Sequence, residues 1–110
     1  MKKITMMLPL NFNNGDEVPQ GQIDFLTERI LNIAGGYTGR RVEGFWQNEE
    51  GKIFKDDNLE VTTSTTSDNI EALKNVASQA CLMLQQEAIY FEIQDIEELN
   101  FVASEVAQAI

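Results

Sequence analysis

The chain is 110 residues long, enough for one domain with a single core, and 43% hydrophobic against 24% charged residues marks it as globular rather than disordered. Eighteen acidic residues against eight basic ones give a formal net charge of −10, a surface that repels phosphate backbones and argues against nucleic-acid binding. There is no histidine and only one cysteine, which excludes an internal disulfide, Ser-His-Asp or Cys-His nucleophilic machinery and the usual zinc ligand sets; no cofactor and no metal are expected.

Residues 3 to 10 alternate, with Ile4, Met6, Leu8 and Leu10 on one side and Thr5, Met7 and Pro9 on the other, and so predict a first strand. Met1-Lys2-Lys3 before this run has the look of a secretory leader. The run is short, however, and ends in Asn11-Phe12-Asn13-Asn14-Gly15 instead of a small-residue cleavage site. With no stretch near the roughly 20 apolar residues of a membrane span, no membrane association is expected and the cytoplasm is the expected compartment.

Ile23, Leu26, Ile30 and Ile33 recur at helical spacing until Gly35-Gly36 stops them, glycine being the residue that accepts the left-handed conformation past a helix end. Tyr37 to Gln47 reads as a strand, Glu49-Glu50-Gly51-Lys52 as a turn, and Leu59 to Thr66 as a strand rich in β-branched residues, with Ile53-Phe54 in a long connection or extending one of the pair. Asp68-Asn69-Ile70-Glu71 has the form of a capping box. Ile70, Leu73, Ala77, Ala80 and Leu84 then predict a second helix reaching about Gln86. Ala88 to Ile93 alternates as a last strand, and the spacing of Leu99, Val102, Val106 and Ile110 predicts a helical tail over residues 96–110.

The order is βαββαβ. It predicts an α+β, ferredoxin-like single domain over residues 1–110: an antiparallel four-stranded sheet with two helices on one face (the core, residues 3–93) and the C-terminal tail. The other sheet face is where function is expected. If Ile4, Met6, Leu8, Val61, Ile89 and Phe91 face the helices, alternation turns Thr5, Met7, Thr62, Ser64, Tyr90 and Glu92 outward, joined by Arg41, Glu43 and Phe45. This half-apolar face lacks the aromatic platform of ferredoxin-like RNA binders. A second copy, the tail or a small ligand is expected to cover it.

Residues 35 to 46 are the least scaffold-like stretch, holding four of seven glycines, two of three arginines and the only tryptophan. Gly35-Gly36-x-x-Gly39 is not a nucleotide fingerprint, because its order is helix to strand and a phosphate would meet the wrong end of the helix dipole. Arg40 and Arg41 instead offer forked donors to an anionic ligand or to the chain's own carboxylates, Glu87 and Glu92 being the expected pairs. Trp46 reads as a core or interface anchor. Cys81, within Ala80-Cys81-Leu82-Met83-Leu84, reads as a buried packing residue.

Gly35-Gly36-Tyr37-Thr38, Glu43-Gly44-Phe45-Trp46, Gly51-Lys52, Asp56 and Gln86-Glu87-Ala88-Ile89-Tyr90 together resemble a group of small bacterial ferredoxin-like domains of unknown function, over most of residues 3 to 93. The resemblance implies the fold and no activity, and it carries over Glu43, Trp46, Glu87 and Tyr90 without an assigned role. The expected function is a non-catalytic acidic binding or interaction module, homodimeric through the open sheet face or the tail. Two alternatives stand beside it. One is a sensor or enzyme for a small anionic ligand, with a cavity at the open face built from Arg40, Arg41, Glu43, Phe45, Trp46, Glu87 and Tyr90. The other is an acidic inhibitor that docks on a basic protein partner.

Overall fold

Strand β1 (Lys2–Pro9) buries Ile4, Met6 and Leu8 at every second residue, and this sets the phase of the whole sheet. The computed structural model describes residues 1–104. It continues with helix α1 (Gln20–Ala34), strands β2 (Thr38–Gln47) and β3 (Ile53–Thr65), a 3₁₀ turn at Ser67–Asn69, helix α2 (Ile70–Met83) and strand β4 (Phe91–Asp95). The sheet order is β2-β3-β1-β4 and every pairing is antiparallel. The ferredoxin-like βαββαβ fold expected from the sequence is therefore the fold of the protein.

The core lies between the sheet and the two helices. Ile23, Leu26 and Ile30 of α1 and Leu73, Val76, Ala77 and Ala80 of α2 meet Ile4, Met6, Leu8 and Val61 of the sheet. Helix α1 ends as expected: Gly35 sits at φ 84° and its N–H donates to the Leu31 carbonyl at 2.8 Å. The expected capping box does not form. The first turn of α2 is tightened into the 3₁₀ turn, and no side chain caps the helix start. Glu71 lies 3.7 Å from Lys74 one turn on instead of reaching back, and Asn69 donates to Thr65 Oγ1 at 2.8 Å.

Strand β2 keeps nearly its expected span, whereas β3 starts well before Leu59. Ile53 to Asn58 extend β3 instead of forming a connection, because β2 pairs without a break from Thr38↔Thr62 to Gln47↔Ile53. A tight turn closes this hairpin: Gly51 adopts φ 86°, and Asn48 Oδ1 accepts from the N–H groups of Glu50 and Lys52. Since β1 has 8 residues and β3 has 13, the end of the β2–β3 hairpin projects past the rest of the sheet, and the molecule measures 62 × 27 × 25 Å. Strand β4 begins at Phe91, three residues later than expected, although Tyr90 already accepts from the Met7 N–H at 3.2 Å. Residues 96–104 form no helix, and the remainder of the expected helical tail lies outside the described residues. No helix among the described residues is long and apolar enough to cross a membrane.

Candidate functional site

Strand register decides which of the expected site residues meet. Thr38 pairs with Thr62, and Thr62 with Thr5, so the open face carries Thr38, Arg40, Val42, Gly44 and Trp46 from β2. Arg41, Glu43 and Phe45 fall on the other side, in phase with Val61 and the helices. Their expected place on the open face is thus corrected: the alternation was right in period and one residue out in phase. Strand β2 is an edge strand exposed on both sides, so burial leaves no alternating imprint on its sequence.

The open face is a polar centre. Arg40 Nε donates to Glu60 Oε1 at 2.9 Å, with the Glu60 side chain largely covered and that of Arg40 mostly exposed. In the neighbouring row, Glu92 lies beside Tyr90, and its carboxylate, as an acceptor for the hydroxyl and as a charge, holds the phenol above its ordinary pKa of 10.0. Glu87 is exposed and, among the described residues, makes no ion pair with either arginine, contrary to expectation. The acid that takes Arg40 is Glu60, directly opposite it in the ladder, a partner visible only once the register is known.

The projecting hairpin is a separate feature. On its open-face side Trp46 stacks on Phe54 with centroids 4.4 Å apart and planes at 14°, its indole N–H donates to Asp56 Oδ2 at 2.9 Å, and Lys52 lies 4.9 Å above the Phe54 ring. On its other side Phe45 and Ile53, 65% and 68% exposed, are diagonal neighbours with nothing over them. Trp46 is consequently not a core residue.

At the base of the hairpin are two hollows. One, of about 620 Å³, lies between the start of α1 and the helix-side face of β2 and β3 and includes Arg41 and Glu43. The other, of about 500 Å³, lies on the opposite side between Trp46, Phe54 and the loop of Phe12 to Gly15. The expected ligand residues are thereby divided: Arg41 and Glu43 share the first hollow, Trp46 lines the second, and Arg40 and Tyr90 line neither. Sequence reading missed Val18, Gln20 and Asn58 in the first hollow, since the loop into α1 brings the first two there and the β2–β3 register brings Asn58. Cys81 is half-buried and shares a shallow groove with Lys74, Ile89 and Phe91. Among the described residues no group of three acidic or cysteine side chains is placed to hold a metal ion.

No protein-family model matches the chain, and no curated protein matches it. Solved structures do. The periplasmic divalent cation tolerance protein CutA from Archaeoglobus fulgidus superimposes with a TM-score of 0.66 at 16% identity, covering 91% of this chain and 88% of that one. The likeness establishes a shared fold. A PII-like protein CutA from Nostoc sp. PCC 7120 gives a TM-score of 0.59 at 15% identity over 88% and 82% of the two chains. A DUF3240 family protein from Shewanella baltica gives 0.57 at 10% identity over 93% and 97%. The architecture is thus that of small ferredoxin-like domains, some of them without a defined function.

Proposed function

We propose that the protein is a non-catalytic binding module that works as a homo-oligomer, at least a dimer, joined through the β2–β3 hairpin. The observation that carries this is the pair Phe45 and Ile53, each about two-thirds exposed on an element that its own helices do not cover. Large apolar side chains scattered singly on a surface are ordinary; two adjacent ones, backed by a stacked Trp46–Phe54 pair on the reverse side, form a patch suited to a partner. From the sequence the contact was expected on the open face or the tail. The polar Arg40–Glu60 and Tyr90–Glu92 pairs make the open face the poorer candidate. Structural neighbours described as PII-like and as divalent cation tolerance proteins are in keeping with a binding role on this fold.

Light scattering across a concentration series tests the reading. A mass of at least twice 12.4 kDa at micromolar concentration is expected. A monomer that persists at every accessible concentration overturns it.

A further inference from the structure

Arg41 stands apart from the other two arginines. Of the eight lysines and arginines, Lys2, Arg40, Lys55 and Lys74 bridge to carboxylates, Arg29 bonds Gln79 and Lys52 lies over Phe54. Among the described residues Lys3 and Arg41 make no such contact, and of these two only Arg41 lines a hollow that also holds Glu17, Glu43 and Asp57. Glu43 and Asp57 both turn to Lys55 instead, at 3.6 and 3.7 Å. A forked donor is thus left open in the hollow, which is also lined by Glu17, free of any ion pair among the described residues. Val18 and Ile23, both buried, give the hollow an apolar floor.

We propose that this hollow binds a small zwitterion of the amino-acid type with a branched apolar side chain. Arg41 takes the carboxylate through its two parallel N–H groups, Glu17 takes the ammonium, and the side chain rests on Val18 and Ile23. The charge pattern selects this class. A simple anion would meet Arg41 together with three carboxylates, of which Lys55 offsets only part, and a simple cation would meet Arg41 itself; a molecule carrying both charges can satisfy both. The hollow's size of about 620 Å³ lies within the range of small-molecule sites. All the residues that line the hollow belong to one protomer, so binding is read separately from the mass of the assembly.

The test uses three probes on one carbon skeleton: L-leucine, 4-methylpentanoate, which lacks the ammonium, and 3-methylbutylamine, which lacks the carboxylate. Amide shifts of the isotope-labelled full chain are followed by NMR during each titration. Leucine is expected to give saturable shifts at residues 17 to 23 and 41 to 43, with each analogue at least about tenfold weaker, the equivalent of about 1.4 kcal/mol. Arg41→Gln is expected to abolish those shifts while its melting temperature stays at that of the wild type, since Arg41 is exposed and bonded to nothing described. Glu17→Gln is expected to weaken leucine and leave 4-methylpentanoate unchanged. The proposal is overturned if leucine gives no saturable shift up to about 10 mM, a concentration that would register even millimolar affinity. It is equally overturned if 4-methylpentanoate matches leucine on the wild type, or if Arg41→Gln binds leucine as before.

Discussion

Phe45→Ala separates association from folding more cleanly than any other change in the hairpin. An aromatic residue presents about 150–250 Å² to be buried, and with Phe45 65% exposed roughly 100–160 Å² of that remains available to a partner. At about 25 cal/mol per Å² the gross gain is some 2.5–4 kcal/mol. Retention of Cβ by alanine and the cost of fixing the ring reduce the expected loss to about 1.5–3 kcal/mol per contact, roughly a tenfold to hundredfold rise in the dissociation constant. The folded protomer should lose no more than about 0.5 kcal/mol, because the ring supports nothing in the core. Trp46→Ala should behave differently. It removes a stack worth about 0.5–1.5 kcal/mol and a hydrogen bond to Asp56 of similar worth, so it loosens the hairpin itself. Sedimentation over a concentration series, paired with denaturant unfolding of the same samples, reads both quantities. The reasoning fails if Phe45→Ala associates like the wild type, or if it unfolds more easily than Trp46→Ala.

Leu73→Ala, at a fully buried position of α2, should destabilise the fold by about 2.7–5 kcal/mol by analogy with leucine truncations in other cores, and denaturant unfolding measures it. Thr63→Val removes the hydroxyl that donates to the Gly36 carbonyl at 2.6 Å and leaves that acceptor unpaired beneath the helix end; a loss of about 1–3 kcal/mol is expected in the same assay. Because Glu92 raises the Tyr90 pKa, the neutral phenol favours the folded state: its stabilising contribution is complete below pH 10.0 and disappears as the pH rises through the elevated folded value. An ultraviolet phenolate titration of Glu92→Gln should therefore show one of the two tyrosines ionising at lower pH than in the wild type, and identical curves would refute the assignment.

The layered part of the fold was legible because burial wrote it into the sequence. Ile4, Met6 and Leu8 alternate since one side of β1 is covered, and Ile23, Leu26 and Ile30 recur at helical spacing since one side of α1 is. Where nothing covers an element, no such imprint exists. Lys55-Asp56-Asp57-Asn58 is polar on both sides and reads as a connection, yet it is strand because β2 supplies the ladder. The same cause misplaced Arg41, Glu43 and Phe45, whose phase is fixed by the distant pairing of Thr38 with Thr62. For the region from 35 to 46, the partners Glu60, Phe54 and Asp56 belong to the facing strand and cannot be read from spacing along β2. Tyr90 and Glu92 were placed correctly because β4 keeps one side on the core, where Phe91 packs.

The two sides of the hairpin differ in how far their apolar surface is already satisfied, and this bears on what a partner must look like. Trp46 and Phe54 cover one another, and Lys52 and Asp56 provide them with polar company, so that side tolerates water. Phe45 and Ile53 have as ladder partners Lys55 and Gln47, whose stems are flexible and whose heads seek solvent. The driving force for association should accordingly reside on the side of Phe45 and Ile53, with Trp46 and Phe54 keeping the hairpin flat enough to present it. Charge gives the contact a second requirement. A chain of net charge −10 repels its own copy, and the repulsion is screened over a distance of about 10 Å at 0.1 M salt. Added salt should therefore strengthen self-association through this hairpin, whereas docking of the acidic surface on a basic protein would weaken under the same change. The direction of the salt effect thus distinguishes the two kinds of partner without identifying either.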